Sequence, residues 1–343
     1  MDNCQLTMTI ATCNKNYMKA LLVMGLFLLT TSFLLAQMKI DDIINVKEVE
    51  RIEKSLSSDD MRGRKIFTPD IDRASDFIAN EFKKIGLENL KPDANTAAND
   101  TDNYHQKFIV GSGHPQQLTN VVGVLPGKTR KNDYVIFSAH YDHLGVSKPI
   151  DGDSIYNGAN DDASGVTAVI MLAKYFKALG NNERTLVFAA FTGEEIGGLG
   201  SRYFSKQFDG NKVVAMFNIE MIGTESKWGK NSAYITGYEK TDMGQILQKN
   251  LEGTDFTFYP DPYTSQNLFY RSDNATLALL GVPAHTISTS KMDNEPNYHK
   301  VSDQIETLDM DNMTMIIESI ALSSKTIIDG KDTPTRVKAE ELK

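Results

Sequence analysis

Three nearly continuous apolar runs constrain the fold of this sequence most. They lie at residues 134–139, 185–191 and 213–219, and apolar residues recur at helical spacing between the first two, over 162–179. Strands covered on both faces have this composition, as in parallel sheets. Strands that alternate with helices predict an α/β fold, a mostly parallel central sheet flanked by helices on both faces.

Ionisable side chains follow each run, at the point where each strand should end. In open α/β sheets the carboxyl ends of the strands form the ligand-binding edge, so we expect these side chains to lie together. Five buried acids without partners would be very costly, and a multivalent cation removes that cost. The candidate residues at this edge are His140, Asp142, Asp161, Glu194, Glu195, Glu220 and, late in the chain, His299.

The residue types indicate which metal would bind there. Two imidazoles with several carboxylates suit zinc, or less selectively manganese or cobalt. The ligands are too many for one tetrahedral zinc, so they predict two zinc ions that share a carboxylate. His140 and Glu220 would complete one site, Glu195 and His299 the other, with Asp161 between them. Three carboxylates and a bridging hydroxide carry four negative charges, which two divalent cations cancel.

Two acids remain beside the predicted ligands. Glu194 is a free carboxylate, which is what a general base requires. Asp142 lies two residues after His140, on the same side of an extended strand, and is placed to accept the second imidazole N–H. Simpler interpretations exist for single residues, since Asp161 and Asp162 could cap the following helix.

In order along the chain, these segments resemble the co-catalytic two-zinc aminopeptidase family. That family includes bacterial leucyl-type aminopeptidases and, more distantly, glutamate carboxypeptidases and glutaminyl cyclases. The resemblance covers roughly residues 118–325. The matching segments are SAHYDHLG at 138–145, YNGANDDASG at 156–165, FTGEEIGGLGS at 191–201, NIEMIG at 218–223, FYRSDN at 269–274 and NYHKVSDQIETLD at 297–309.

The resemblance implies a zinc exopeptidase-like fold and the same residue roles. One zinc would be held by His140, Asp161 and Glu220, and the other by Asp161, Glu195 and His299. Glu194 would be the catalytic base and Asp142 the partner of the His140 ring. Two positions depart from the family pattern, because Glu220 stands where Asp is usual and Asn274 stands where His often follows Ser-Asp.

These features predict a metal-dependent aminopeptidase that hydrolyses N-terminal residues from peptides through a dinuclear zinc-bound hydroxide. A glutaminyl cyclase is an alternative on the same fold, using one zinc and no water nucleophile. A carboxypeptidase would need a basic pocket, for which Arg271 is the nearby candidate. A non-catalytic binding domain is the fourth possibility. The aromatic residues of 256–271 could form an apolar pocket wall and could equally belong to the core.

The N-terminal residues 1–36 are predicted to be a signal peptide. Two lysines precede an uncharged apolar run at 21–36, which is too short for a typical membrane-spanning helix and ends in a small residue. We therefore expect an exported protein, periplasmic or extracellular, with a single catalytic domain at 37–343 and no stable membrane association after cleavage. Met18 is an alternative start, and an uncleaved anchor is the alternative to cleavage.

The net charge of the chain indicates which partners are expected, and two histidines remain outside the predicted ligand set. Lys and Arg total 36 against 45 Asp and Glu, a net charge of −9, which argues against a nucleic-acid partner. Peptide substrates are the expected partners, and the sequence leaves the oligomeric state open. His143 is expected at the rim of the site rather than as a ligand, and His285 in the core or near the pocket.

Overall fold

The computed structural model describes residues 39–90, 101–102, 104–111 and 113–342. The chain divides into two units, Met1–Asp42 and Ile43–Lys343. In the first unit the structure describes a 3-10 turn at Ile40–Asp42. The predicted signal peptide at 1–36 lies outside the described residues.

The described part of the second unit contains twelve strands and eight α-helices. The strands are β1 (Glu88–Asn89), β2 (Thr101–Asp102), β3 (His105–Val110), β4 (Gln116–Leu125), β5 (Arg130–His140), β6 (Gly145–Ile150), β7 (Asp153–Tyr156), β8 (Arg184–Phe191), β9 (Val213–Ile219), β10 (Ser232–Ile235), β11 (Thr257–Pro260) and β12 (Ala284–Ser288). The helices are α1 (Val46–Leu56), α2 (Pro69–Ile85), α3 (Ser164–Leu179), α4 (Leu199–Ser205), α5 (Met243–Asn250), α6 (Asn274–Ala278), α7 (Met310–Ser323) and α8 (Lys325–Ile328). Within the described ranges, no helix combines the length and the hydropathy needed to cross a bilayer.

Ten of the strands form one mixed sheet, and its centre is parallel. Nine of them follow the order β11-β10-β12-β9-β5-β8-β4-β3-β2, and β1 pairs with β4. The four central strands β12, β9, β5 and β8 are mutually parallel. Antiparallel pairs flank them, at β4 with β8 and at β10 with β12. The predicted parallel centre is confirmed, because the three apolar runs are β9, β5 and β8, side by side.

Helices cover both faces of this sheet, which explains why its central strands are apolar throughout. On one face Phe137 of β5 stacks on Phe188, Phe217 and, from α3, Phe176. On the other face lies a second buried apolar cluster, which includes Ile136, Val187, Met216, Phe204 of α4 and Leu277 of α6. Adjacent side chains on a strand point to opposite faces, so Ile136 and Phe137 pack in the apolar clusters on opposite faces of the sheet.

Several helix ends follow from identifiable capping residues. Helix α1 begins at Val46, because the Asn45 side chain accepts the N–H of Glu48 at 3.1 Å. Gly86 and Gly180, both with positive φ, end α2 and α3. The helical segment near the C-terminus is interrupted at Ser324, which separates α7 from α8.

The start of α3 matters most for the site. The sequence places this helix from residue 162, but it begins at Ser164. Residues Ala159–Ala163 form a wider turn in which Asp161 and Asp162 have non-helical backbone angles. Asp161 is therefore presented by a loop at the sheet edge and not by the first turn of a helix.

Candidate metal centre

The carboxyl edge of the parallel strands carries the predicted site residues. His140 is the last residue of β5, and Glu220 directly follows β9. Glu194 and Glu195 lie in the turn after β8, where Gly193 has a φ of +74°. Because β8, β5 and β9 are adjacent and parallel, these residues converge as expected.

The two imidazoles contact opposite oxygens of a single carboxylate. Nε2 of His140 lies 3.2 Å from Oδ1 of Asp161 and 3.3 Å from Oε1 of Glu220. Nε2 of His299 lies 3.2 Å from Oδ2 of Asp161 and 3.2 Å from Oε2 of Glu195. These contacts form two donor clusters that share Asp161, with His140, Asp161 and Glu220 in one and Asp161, Glu195 and His299 in the other.

The spacing of these donors fits a pair of zinc ions. Ligands at 2.0–2.2 Å from a tetrahedral zinc are about 3.3–3.6 Å apart, and the contacts within each cluster are close to that range. Imidazole nitrogen and carboxylate oxygen are also the donor types that zinc accepts. His140 and Asp161 are almost completely buried, so a bound ion would be largely shielded from solvent.

Neighbouring charges and hydrogen bonds shift the pKa values of the residues in the two donor clusters. Hydrogen bonds to Asp161 and Glu195 raise the pKa of His299 to about 10. Burial opposes ionisation of Glu195, but hydrogen bonds from His143 and His299 lower its pKa to about 2. Burial likewise opposes a charge on His140, yet the carboxylate of Glu220 and its other acidic neighbours raise the pKa well above its usual value. Without metal, protonated imidazoles balance the carboxylates, so metal binding must release protons.

Glu194 lines the cavity next to both clusters. Burial raises its pKa well above the usual range, and the nearby carboxylates of Glu220, Asp273 and Asp142 act in the same direction. A carboxyl group with a raised pKa beside a metal cluster can both take up and release a proton. This environment suits the proton-transfer role predicted for Glu194.

Asp142 is next to His140, but its contacts differ from the expectation. Nδ1 of His140 lies 3.1 Å from the main-chain oxygen of Asp142 and 3.7 Å from its carboxylate. The carboxylate instead accepts the N–H groups of Glu194 at 3.1 Å and Glu195 at 3.4 Å. The carbonyl therefore orients the imidazole, and the carboxylate fixes the turn that carries the two glutamates.

Asp162 has a different function from its neighbour Asp161. Its carboxylate accepts three backbone N–H groups, from Gly165 and Met221 at 3.0 Å and from His140 at 3.3 Å. It lies near His140 and Glu220, within reach of a shared ion. These hydrogen bonds tie Asp162 to the end of β5, to the residues after β9 and to the start of α3.

Two histidines outside the predicted ligand set are both buried. The rim position expected for His143 is wrong, since it is 2% exposed and its Nδ1 lies 2.9 Å from Oε1 of Glu195. It follows the end of β5 in a loop, where no periodic pattern reveals its direction. His285 is a core residue as expected, with Nδ1 2.8 Å from the Thr236 carbonyl and Nε2 2.8 Å from the Thr241 hydroxyl.

Two further residues organise the loops around the site, and the sequence analysis missed both. The buried guanidinium of Arg64 donates to the carbonyl oxygens of Leu56, Tyr141, Asn157 and Gly158. Asp303 accepts the N–H groups of Asn160 at 2.8 Å and Asp161 at 3.0 Å. Neither residue belongs to a local pattern, because each acts through contacts with distant parts of the chain.

The segment 256–271 contributes to the cavity mainly through two residues. Leu268 and Arg271 line it, whereas Phe256, Phe258 and Phe269 are buried in the core. The core interpretation of these three aromatic rings is therefore the correct one. Nearby, the Ser272 hydroxyl donates to Oε2 of Glu220 at 2.5 Å, which anchors the one glutamate that departs from the family pattern.

Comparison with known sequences gives a family for this chain. The sequence model of peptidase family M28 matches residues 120–323. A "Probable leucine aminopeptidase" of Trichophyton verrucosum is 31% identical over 204 residues, which are 57% of this chain and 53% of the relative. The chain thus spans about half the length of the curated relatives that it matches first.

Solved structures with the same fold include both a zinc aminopeptidase and a glutaminyl cyclase. A zinc aminopeptidase from Bacillus subtilis aligns with a TM-score of 0.64 at 16% identity, covering 84% of this chain and 96% of that one. A glutaminyl cyclase from Porphyromonas gingivalis aligns with a TM-score of 0.64 at 14% identity, covering 83% and 99%. At these identities the likeness supports the zinc aminopeptidase-like α/β fold that the sequence predicts.

Proposed function

The chain belongs to peptidase family M28, and from this premise we propose that it is an aminopeptidase that uses two zinc ions. The observation that carries the proposal is the single carboxylate of Asp161 between the imidazoles of His140 and His299. Glu194 lies beside this arrangement without a place in either donor cluster. The relative from Trichophyton verrucosum is named a probable leucine aminopeptidase, which supports the same activity for this chain.

The proposed centre uses the two donor clusters. His140, Asp161 and Glu220 would hold one zinc, and Asp161, Glu195 and His299 the other. When bound, the zinc pair supplies Lewis-acid polarisation of a peptide carbonyl and a water of lowered pKa. The Asp142 carbonyl and carboxylate keep His140 and the Glu194–Glu195 turn in place for this chemistry.

Glu194 would transfer a proton from the attacking water to the leaving amine. Its carboxylate takes a proton from the attacking water, whose oxygen forms the new bond to the scissile carbonyl carbon. When the carbon–nitrogen bond breaks, the same carboxyl group returns that proton to the leaving amine. Glu194 lines the cavity beside both donor clusters, so its carboxyl group can exchange a proton with a molecule bound there.

The lining of the cavity bears on whether a free α-amine or an α-carboxylate is bound. Four acids line it, namely Asp161, Glu194, Glu195 and Glu220, and among the described lining residues Arg271 is the one arginine or lysine. Two bound zinc ions would offset the charge of the three proposed ligand carboxylates, which leaves Glu194 as the further acid in the cavity. A carboxypeptidase would have to bind the substrate carboxylate at Arg271, so the aminopeptidase proposal rests on the named relative and not on the net charge of the cavity.

Metal counting and one substitution test the proposal. Purified protein should contain two zinc equivalents and hydrolyse aminoacyl-anilides, and a chelator should stop the reaction. Glu194→Gln should retain both equivalents and lose activity by about 10³-fold, within the range for a general base. Glu252→Gln, at an exposed position, should retain full activity.

The outcomes separate the alternatives. One zinc equivalent, with cyclisation of N-terminal glutaminyl peptides and no anilide hydrolysis, would show a glutaminyl cyclase. Two equivalents with no turnover of any blocked or free peptide would show a binding domain. Normal turnover by Glu194→Gln would refute the role of that residue.

We also propose that the protein is exported, to the periplasm or beyond. The proposal rests on the basic, apolar and small-residue pattern of residues 1–36. Expression in a bacterial host followed by N-terminal sequencing of the exported protein should give a start at Gln37. A product that keeps the apolar run and sediments with membranes would contradict this.

A further inference from the structure

Among the described residues, the His143 side chain makes one hydrogen bond, and its partner belongs to a donor cluster. Its Nδ1 lies 2.9 Å from Oε1 of Glu195. Both side chains are shielded from solvent, at 0% and 9% exposure. Nε2 of His143 has no hydrogen-bond partner among the described residues. Because an ionised carboxylate only accepts hydrogen bonds, Nδ1 is the atom that donates.

The two oxygens of Glu195 face different histidines. Oε2 lies 3.2 Å from Nε2 of His299, inside the cluster that also contains Asp161. Oε1 lies 2.9 Å from Nδ1 of His143. One oxygen of the Glu195 carboxylate therefore contacts the donor cluster, and the other contacts the His143 ring.

His143, Asp161 and Glu195 lie close enough together to hold a metal ion, but the individual distances favour a positioning role for His143 over direct ligation. Nδ1 of His143 is 3.9 Å from Oδ2 of Asp161, whereas His299 makes both of its cluster contacts at 3.2 Å. Ligands of one tetrahedral zinc are about 3.3–3.6 Å apart. The 2.9 Å contact with Glu195 is instead an ordinary charge-assisted hydrogen bond.

The position of the His143 ring is fixed by the backbone around it. The His143 N–H donates to the carbonyl of Arg64 at 3.3 Å. A Cβ at Gly158 would lie 2.6 Å from the ring, so the ring packs directly on that glycine. A side chain held this tightly can impose an orientation on its hydrogen-bond partner.

We propose that His143 is a positioning residue: its Nδ1–H holds Oε1 of Glu195, so that Glu195 offers Oε2 alone to a metal ion. The inference rests on the proposed two-zinc function. It assigns a role to a histidine that belongs to neither predicted ligand set. Removing a hydrogen bond of this kind from a metal ligand typically weakens metal binding by about 10–100-fold.

Zinc titration of metal-stripped, full-length variants tests this without measuring activity. His143→Asn places an amide N–H near the position of Nδ1 and should bind both zinc equivalents within about threefold of wild type. His143→Leu has no donor and should bind one equivalent normally and the other about 10–100-fold more weakly. His285→Leu removes an equally buried histidine that belongs to neither donor cluster, so it should lower the melting temperature without changing either zinc affinity.

Cobalt substitution decides whether His143 is a ligand. The visible absorption bands of the cobalt-loaded protein should be the same in wild type and His143→Asn, because the proposal leaves the ligand set intact. Altered bands, with zinc binding as weak as in His143→Leu, would make His143 a direct ligand and overturn the positioning role.

Two further results distinguish an error in the role proposed for His143 from an error in the proposed two-zinc function. Wild-type zinc affinities in folded His143→Leu would overturn the inference alone. A wild-type protein that binds fewer than two zinc ions would overturn the proposed function itself. If His143→Leu does not fold, His143→Gln, whose amide is displaced by one bond, takes its place with the same expected loss.

Discussion

Asp142 accepts the main-chain N–H of Glu194 at 3.1 Å through its carboxylate oxygen Oδ1. Its second oxygen, Oδ2, accepts the next N–H, that of Glu195, at 3.4 Å. One fully buried carboxylate therefore fixes the backbone of both the proposed base and a proposed ligand. The strand end and the turn after the neighbouring strand behave as one rigid unit.

We predict that Asp142→Asn lowers kcat/KM and zinc affinity by about 10–100-fold. The asparagine oxygen can replace one acceptor, but its NH₂ group faces the second N–H, so the turn loses one of its two hydrogen bonds. Steady-state assays and zinc titration measure the two effects. Asp242→Asn is the matched control, because Asp242 also accepts a backbone N–H, from Thr335 at 2.7 Å, on the exposed surface. Equal losses in both variants would contradict the prediction.

Glu220→Asp should weaken zinc binding by about tenfold even though it restores the residue usual in the family. In this chain Glu220 contacts His140 through Oε1 at 3.3 Å and receives the Ser272 hydroxyl on Oε2 at 2.5 Å. An aspartate is one methylene shorter and cannot keep both contacts. Competition with a chromophoric chelator measures the change. Unchanged or tighter zinc binding by Glu220→Asp would show that Ser272 does not set the position of this ligand.

Arg64→Lys should reduce both stability and metal binding. A lysine cannot reproduce four hydrogen bonds to separate carbonyls, so we expect unfolding free energy to fall by about 2–3 kcal/mol. The loops at Tyr141 and Gly158 would also lose their common anchor, which lowers zinc affinity. Denaturant unfolding and zinc titration report the two effects separately.

Arg184→Lys is the control for that experiment. Arg184 is equally buried, and it donates to the carbonyls of Ile327 and Asp332 at 2.6 and 2.8 Å, outside the metal centre. It should lower stability to a similar extent and leave zinc affinity unchanged. A parallel loss of zinc affinity in Arg184→Lys would mean that metal binding follows global stability alone.

His285 should make the folded state sensitive to acid. Burial lowers the pKa of His285 to about 4, against about 6.5 in an unfolded chain. Between these values the unfolded state binds the proton and the folded state does not. The stabilisation is therefore complete above pH 6.5 and lost as the pH falls toward 4, by about 3 kcal/mol in all. Wild type and His285→Gln should show converging unfolding free energies over this interval, and parallel pH profiles would refute the prediction.

Much of the site could be predicted because strand ends converge for topological reasons. Once β5, β8 and β9 are recognised as buried parallel strands, His140, Glu195 and Glu220 must share one edge. Their chemical types then indicate a cation, and the family resemblance supplies the roles. The site roles themselves remain predictions until metal binding is measured.

The parts that escaped prediction depend on turns and long-range contacts. His143 lies three residues beyond His140 in a loop, so neither strand nor helix periodicity gives its direction. Whether the carbonyl or the carboxylate oxygen of Asp142 contacts the His140 imidazole depends on the backbone conformation after β5. Arg64 reaches Tyr141 and Gly158 across 77 and 94 residues of sequence, which no short motif records.

The anchoring of Arg64 has a practical consequence for protein engineering. The stretch that matches the family begins at residue 120, yet a cation contributed by residue 64 clamps the loops that flank the first imidazole and the shared aspartate. A recombinant fragment trimmed to the matching stretch would lack that clamp. Minimal versions of this protein should therefore retain the two N-terminal helices, since the contacts that hold the candidate metal centre extend beyond the segment that defines the family.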